Sequence, residues 1–199
     1  MYTGCMATPS KIIRPATYQD LLALPENLVG EILAGELHAS PRPRGPHAVA
    51  MSSLGGELVP TYGFGRGGPG GWWIIVEPEL HLGGNVMVPD LAGWRRERMP
   101  AVPKEVEFTV SPDWVCEILS PSTERKDRVV KLPLYAGEGV RHVWLVNTDA
   151  RTLEVLRLDN GRWLLVATHG GDQRVSAEPF EAVEIDLLNI WGEIRPLAP

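Results

Sequence analysis

The chain has 199 residues, of which 44% are hydrophobic and 22% are charged, and it carries a formal net charge of −6 at pH 7. This length and composition predict a single soluble globular domain over residues 1–199, with loose ends at 1–16 and 193–199. The negative charge argues against a protein that coats nucleic acid non-specifically, because that binding needs many Lys and Arg residues to neutralise phosphates.

The sequence has no feature of a membrane-bound or exported protein. No apolar run approaches the roughly 18 residues of a membrane span, and the first residues lack a basic segment followed by an apolar one. The two cysteines, Cys5 and Cys116, are too few for a disulfide framework, and Cys116 lies in an apolar run typical of buried packing. We therefore expect a protein of the reducing cytoplasm.

The first third of the chain predicts two helices on either side of a β-hairpin. In chain order, the predicted elements are a helix over 18–23, strands over 29–33 and 36–39, and a helix over about 47–58. Thr17 is a favourable N-cap for the first helix, and Ala34-Gly35 form the tight turn of the hairpin. A loop rich in Pro and Arg, residues 41–46, precedes the second helix, whose apolar residues follow helical spacing.

The middle of the chain predicts two long paired strands. A glycine-dense loop, residues 63–71, leads into a strand over 72–82, which Gly83-Gly84-Asn85 turn into a second strand over 86–94. Residues 65–70 match a G-x-G-x-x-G pattern. The dinucleotide-binding fingerprint comes after a strand, whereas here the strand comes after the pattern, so we interpret this segment as a flexible loop.

The last part of the chain predicts a strand–helix–strand unit followed by a hairpin. After a charged connection over 95–112, the predicted elements are a strand over 113–119, a helix from Ser122 or Thr123 to about 136, a strand over 141–147 and hairpin strands over 153–158 and 162–167. The unit 113–147 is long enough for a right-handed parallel crossover, and Pro133 should kink or end its helix. With hairpins before and after this unit, the sequence predicts a mixed β-sheet flanked by helices in an α/β domain.

Two carboxylates in apolar strands point to a function. Asp90 follows Val88-Pro89, in which the proline keeps Val88 extended, and Glu117 lies on the same strand face as Val115 and Leu119, a face that should be buried. An unpaired buried charge is costly, so such acids need a partner. Two carboxylates from neighbouring strands would form an oxygen-ligand site for Mg²⁺ or Mn²⁺.

Each of these residues also has an interpretation without function. Asp90 fits a strand-end residue that faces water, and Glu117 fits a partly buried salt bridge. Lys131, on the predicted helix, fits an exposed ion pair with Asp127 four residues earlier. Taken together, two acids and a lysine around a metal suit phosphodiester hydrolysis. The metal would polarise the phosphate and activate a water, and the lysine would orient the nucleophile or stabilise the developing charge.

Other chemistry-bearing motifs are weak or missing. None of the five histidines has zinc-ligand spacing, and the sequence contains no G-x-S-x-G elbow or P-loop. Three compact basic segments could contact phosphates or could be solvated loops: Pro41-Arg42-Pro43-Arg44, Arg95-Arg96-Glu97-Arg98 and Arg125-Lys126.

A series of short motifs follows in order along the chain. The motifs are Glu31 in Gly30-Glu31-Ile32-Leu33-Ala34-Gly35-Glu36-Leu37, His47, Pro89-Asp90-Leu91, Glu117-Ile118-Leu119-Ser120-Pro121-Ser122-Thr123, Asp127, Lys131, Tyr135 and Gly139 to Val146. Over about residues 15–192, this series resembles the Uma-two (Uma2) family of restriction-endonuclease-like proteins in the PD-(D/E)XK nuclease superfamily. The specific part is the string from Glu117 to Thr123 with the downstream Asp and Lys, since Pro-Asp alone is weak.

The resemblance implies a restriction-endonuclease-like fold with Asp90 and Glu117 as ligands of Mg²⁺ or Mn²⁺. The usual lysine of the superfamily lies two residues after the second acid, where this chain has Leu119. The candidate lysine is therefore Lys131 on the following helix. Glu31 resembles an additional acid that the superfamily often carries near its N-terminus, and Asp127 would orient Lys131.

The function implied is metal-dependent endonucleolytic cleavage of DNA. By analogy, a symmetric homodimer would suit cleavage of both strands of a duplex. Two alternatives stay open. An inactive nuclease fold used as an interaction module would keep the carboxylates but bind no metal, and a metal hydrolase for small phosphoesters would have a narrow groove without basic walls.

Overall fold

The computed structural model describes residues 14–42 and 45–195. These residues form two principal β-sheets, a two-stranded ribbon and short helices. The strands are β1 Leu28–Leu33, β2 Glu36–Pro41, β3 Trp72–Val76, β4 Glu79–Leu82, β5 Asn85–Met87, β6 Leu91–Arg95, β7 Glu107–Phe108, β8 Trp114–Leu119, β9 His142–Asn147, β10 Thr152–Asp159, β11 Arg162–Gly170, β12 Arg174–Val175 and β13 Ile185–Asp186. The α-helices are α1 Tyr18–Leu22, α2 Pro46–Leu58, α3 Glu124–Lys126, α4 Leu132–Gly137 and α5 Leu187–Ile190. Two π-helical segments, Val59–Gly63 and Asp127–Lys131, follow α2 and join α3 to α4.

Both principal sheets are mixed. The larger has six strands in the order β11-β10-β9-β8-β6-β3, and the other has five in the order β2-β1-β5-β4-β7. Strands β8 and β9 pair in parallel, as the predicted crossover requires, and the predicted hairpins β1–β2 and β10–β11 are antiparallel. The predicted α/β class, with mixed sheets, flanking helices and additional hairpins, is confirmed.

The prediction of two long strands over 72–82 and 86–94 is wrong in one respect. Each predicted strand is divided into two shorter strands that belong to different sheets. Strands β3 and β6 pair in the six-stranded sheet, whereas β4 and β5 pair in the five-stranded sheet. The first break lies at Glu77, whose φ of 46° is in the left-handed region, and the second lies at 88–90. The N–H of Glu77 donates to the carbonyl of Asp90 over 3.0 Å, which ties the two bends together.

Strand β8 is buried on both faces, as its continuous apolar run predicts. On one face its side chains join a core with α2 and the C-terminal segment: Trp114, Cys116, Ile118, Leu54 and Phe180. On the other face they join a core with the five-stranded sheet and α4: Val115, Leu119, Leu33, Leu80 and Tyr135. Glu117 shares the second face, so its carboxylate lies between the two sheets instead of at the surface.

The helix predicted up to about residue 136 is present but is widened in the middle. Thr123 occupies the N-cap position without a side-chain cap bond, because its hydroxyl instead lies 3.0 Å from that of Ser120. The π-helical segment ends at Lys131, two residues before Pro133. In a regular α-helix the proline ring would clash with the carbonyl of Val129, four residues earlier, and the wider turn is the local alternative to the predicted kink.

Parts of both predicted loose ends fall within the described residues and form ion pairs. Arg14 lies 2.7 Å from Asp20, and Arg195 lies 2.6 Å from Asp186. Segments that lie outside the described residues are 1–13 with Cys5, residues 43–44 of the basic loop, and 196–199.

No helix in the portion of the chain that the structure describes is long and apolar enough to cross a membrane.

Candidate active site

A cleft of about 250 Å³ opens at the junction of the two sheets. Its walls include all four residues that the sequence singled out for catalysis or metal binding: Glu31, Asp90, Glu117 and Lys131. Glu31 belongs to β1 of the five-stranded sheet and Glu117 to β8 of the six-stranded sheet. Asp90 lies on the connection from β5 to β6, and Lys131 ends the π-helical segment before α4. The fold therefore brings together groups that lie far apart in the sequence.

Asp90 is fixed by a hydrogen bond to the strand that carries Glu117. Its Oδ2 accepts from the N–H of Ile118 over 2.6 Å, and its Oδ1 lies 3.2 Å from Nε2 of His47 on α2. The side chain is only 14% exposed, which does not fit the alternative of a strand-end aspartate that faces water. One carboxylate oxygen is thus bound to the backbone, and the other lies next to an imidazole.

Glu117 has one oxygen engaged by two donors. Its Oε1 accepts from the hydroxyl of Tyr135 over 2.6 Å and lies 2.7 Å from Nζ of Lys131. Within the described residues, Oε2 receives no hydrogen bond. Burial raises the pKa of Glu117 to about 8, although Lys131 opposes this effect. An ionised Glu117 therefore depends on the positive charges around it.

Lys131 is buried, with 2% of its side chain exposed, and its ammonium contacts three acceptors. Nζ lies 2.7 Å from Oε1 of Glu117, 2.9 Å from Oε1 of Glu31 and 3.1 Å from the carbonyl oxygen of Val88. Asp127 is more distant, at 4.0 Å. The alternative of an exposed ion pair with Asp127 is therefore wrong, because the lysine instead joins the two glutamates. Burial alone would lower the pKa of Lys131, but the two glutamates raise it well above its usual value.

Glu31 is shared between two lysines. Its Oε2 accepts from Nζ of Lys126 over 2.6 Å, while its Oε1 contacts Lys131 and accepts from the N–H of Val88 over 2.9 Å. Lys126 also donates to Oγ of Ser40 over 3.1 Å. Burial alone would raise the pKa of Glu31, but the two lysines outweigh it and lower the pKa to about 2. Glu31 is consequently ionised at neutral pH.

The π-helical segment places both lysines on the same wall. In a regular α-helix, residues five apart point about 140° away from each other around the axis. A π-helical turn closes its hydrogen bonds over five residues, so positions five apart return to nearly the same side. Lys126 directly precedes the widened turn Asp127–Lys131 and Lys131 ends it, and both lysines contact Glu31.

Comparison with known proteins supports the resemblance found in the sequence. A sequence model of the Uma2 family, described as "Putative restriction endonuclease", matches residues 15–189. The chain belongs to the Uma2 family. Membership of a family described in these words supports a nuclease function. A search of curated proteins found no match.

The fold is similar to a crystal structure described as that of "a putative nuclease belonging to DUF820 from Anabaena variabilis ATCC 29413". The TM-score is 0.70 and the sequence identity is 22%, and the similarity covers 89% of this chain and 98% of that chain. At this identity the similarity concerns the fold, and it confirms the expected restriction-endonuclease-like architecture of this Uma2 chain.

Three residues that line the Uma2 cleft or contact its lining had no assigned role in the sequence interpretation. Tyr135 and His47 stood only as members of the family motif series, and Lys126 only as half of a short basic segment. The buried Nδ1 of His47 has no hydrogen-bond partner among the described residues. Burial would lower the pKa of His47, but the neighbouring Asp90 carboxylate raises it. The π-helical turn, which has no recognisable sequence pattern, is why Lys126 could not be placed beside Lys131.

The donor set at the Uma2 cleft fits a hard divalent cation that keeps several water ligands. Asp90 and Glu117 supply carboxylate oxygens, the ligand type that Mg²⁺ and Mn²⁺ prefer. No group of three or more His, Cys, Asp or Glu side chains in metal-binding arrangement occurs within 14–42 and 45–195. If a metal binds here, Asp90 and Glu117 are its candidate protein ligands, and water or substrate oxygens would complete the coordination, as is usual for Mg²⁺.

Proposed function

We propose that this Uma2 protein is a Mg²⁺- or Mn²⁺-dependent endonuclease that hydrolyses phosphodiester bonds in DNA. The observation that carries the proposal is the convergence of Glu31, Asp90, Glu117 and Lys131 on one cleft. A structural salt bridge alone would need one acid and one base. Here several acids meet in a partly enclosed space, which is the arrangement that a cation and an anionic substrate require.

In this proposal Asp90 and Glu117 hold the metal, and the other groups hold these ligands in place. A metal held there would polarise the phosphodiester and lower the pKa of a bound water. The N–H of Ile118 orients Asp90, and Tyr135 with Lys131 orients Glu117 through its Oε1. Lys131 also compensates the negative charge of Glu31 and Glu117. DNA is the proposed substrate for two reasons. The chain belongs to a family described as nucleases, and Lys126 and Arg42 place positive charges in the walls of the cleft.

Cleavage assays with purified protein test this function directly. Supercoiled, linear duplex and single-stranded DNA are incubated with Mg²⁺ or Mn²⁺, alongside the small diester bis(p-nitrophenyl) phosphate. Cleavage of DNA that is lost in Asp90→Asn and Glu117→Gln supports the proposal. Hydrolysis of the small diester with all DNA intact would favour the small-phosphoester hydrolase.

The inactive-module alternative predicts a different pattern. It expects no hydrolysis of any substrate and no heat of Mn²⁺ binding in calorimetry, with the fold intact. A symmetric dimer belongs to the proposal for duplex cleavage, and light scattering of the purified protein measures it independently.

A further inference from the structure

The buried lysine of the cleft is enclosed by oxygen atoms of the protein. Nζ of Lys131 donates to the carbonyl oxygen of Val88 over 3.1 Å and forms ion pairs with Glu117 at 2.7 Å and with Glu31 at 2.9 Å. Its side chain is 2% exposed. Lys131 could contact a phosphate only by moving away from one of these buried oxygens, which would weaken the compensation of buried negative charge and is costly.

The second lysine, Lys126, has fewer protein partners than Lys131 and is more exposed. Among residues 14–42 and 45–195, Nζ of Lys126 has two acceptors, Oε2 of Glu31 at 2.6 Å and Oγ of Ser40 at 3.1 Å, so within this part of the chain one of its three N–H groups has no acceptor. Its side chain is 18% exposed, nine times the fraction of Lys131, and it lines the same cleft as Asp90 and Glu117. Glu31 and Ser40 hold the ammonium at the wall of the cleft, and its exposure makes it accessible to a group that enters the cleft.

We propose that Lys126 forms the phosphate-binding subsite of the cleft and donates to a non-bridging oxygen of the scissile phosphodiester. This inference rests on the proposed nuclease function and specifies which residue meets the substrate. Lys131 is then a positioning residue, which neutralises Glu31 and Glu117 and fixes Oε1 of Glu117. Glu31 links the two lysines, because its two oxygens bind one each.

The different roles of Lys126 and Lys131 follow from their positions in the fold. The π-helical segment Asp127–Lys131 follows Lys126 and ends at Lys131, and both lysines contact Glu31. Lys131, at its C-terminal end, lies deep between the sheets, and Lys126, just before its start, lies at the opening of the cleft. A phosphate that enters from solvent therefore meets Lys126 first.

The test compares Lys126→Gln, Lys126→Arg and the matched control Arg125→Gln, which removes a positive charge from the adjacent exposed position. Cleavage rates on DNA and Mn²⁺ binding by calorimetry are measured for each. We expect Lys126→Gln to lower kcat by about 10²–10³ while its Kd for Mn²⁺ stays within about threefold of wild type. Lys126→Arg should recover at least about tenfold of the loss, since it restores a cationic donor. Arg125→Gln should stay within about threefold of wild type, as expected for a solvated charge.

A second measurement does not depend on cleavage. Inorganic phosphate is titrated into the ¹⁵N-labelled wild type and Lys126→Gln, and amide shifts around residues 40 and 126 are followed by NMR. Saturable shifts in the wild type that weaken at least about tenfold in the variant support the subsite. Equal phosphate affinity in both proteins, no phosphate binding in the folded wild type, or wild-type kcat in Lys126→Gln would each overturn it. If the wild type cuts no DNA yet shows phosphate binding that depends on Lys126, the nuclease proposal fails and the subsite stands.

Discussion

The hydroxyl of Tyr135 donates a 2.6 Å hydrogen bond to Oε1 of Glu117. Both side chains are buried, and the bond joins helix α4 to the central strand β8. Because Lys131 contacts the same oxygen, the carboxylate plane of Glu117 is fixed by two donors. The orientation of its other oxygen is therefore set before any metal or substrate enters.

Tyr135→Phe tests this orientation. The substitution keeps the ring in the core and removes one donor from a buried carboxylate, which should lower the free energy of unfolding by about 1–3 kcal/mol. The Kd for Mn²⁺ should rise by about 10–100-fold, as is typical when a group that orients a metal ligand is lost. Urea denaturation and calorimetry measure the two effects. An unchanged Mn²⁺ affinity would show that Tyr135 supports only packing.

Lys131→Met tests the compensation of buried charge. Removing the ammonium takes away the positive charge that compensates the buried carboxylates of Glu31 and Glu117. We therefore expect the free energy of unfolding at pH 7 to fall by about 3–5 kcal/mol. The double variant Lys131→Met/Glu117→Gln removes one of the stranded charges and should recover part of that loss. DNA cleavage should be abolished in both. Additive losses in the double-mutant cycle would contradict coupling between the two residues.

Glu31 should make stability depend on pH in the acid range. Its pKa is lowered to about 2 by Lys131 and Lys126, against 4.5 for the unperturbed group, even though burial acts in the opposite direction. The folded state therefore binds its proton less readily than the unfolded state, and the stabilisation is fully present well above pH 4.5 and is lost as pH falls through the folded pKa. Relative to pH 7, we expect a loss of about 2 kcal/mol at pH 3 from this group.

Comparison of the wild type with Glu31→Gln isolates that contribution. The difference in unfolding free energy between the two proteins, measured by urea denaturation from pH 7 to pH 3, should shrink towards acid pH. A difference that stays constant over this range would show that Glu31 is not held ionised by the lysines.

Asp90→Asn separates a metal ligand from a structural ion pair. The amide oxygen of Asn can still accept from the N–H of Ile118, and the variant removes a negative charge near Glu117, so without metal it should melt no lower than wild type. Mn²⁺ at 100 times its Kd should stabilise the wild type by about 2.7 kcal/mol, or roughly 5–10 °C in Tm. The variant should lose most of this gain. A large drop in Tm without metal, together with no response of the wild type to Mn²⁺, would contradict a metal site.

Much of the fold follows from patterns that are local in sequence. The hairpins, the parallel pair β8–β9 and the buried character of β8 could be predicted, because alternation, turn residues and apolar runs report on them directly. The division of 72–82 and 86–94 between two sheets could not. Both halves of each segment are apolar, and the bend at Glu77 requires a left-handed backbone at a residue that rarely adopts it.

Some residues of the candidate site could likewise be predicted from the sequence, and others could not. Asp90 and Glu117 could be singled out because a carboxylate is conspicuous in an apolar strand, and Glu31 and Lys131 because they fit a family pattern. Lys126 could not be assigned, since its position depends on a π-helical turn that places it beside Lys131. The packing of His47 against Asp90 is likewise a long-range contact that no local spacing reveals.

The ammonium of Lys131 spans two sheets, because its partners Glu31 and Glu117 belong to β1 and β8. These carboxylates cannot separate by the movement of a loop, since each is carried by a strand that is paired on both sides within its sheet. Separating Glu31 from Glu117 thus requires the two sheets to part, which is close to global unfolding. A cation bound at Asp90 and Glu117 should therefore slow amide hydrogen exchange in β1 and β8 by similar factors, although β1 contributes neither of its ligands.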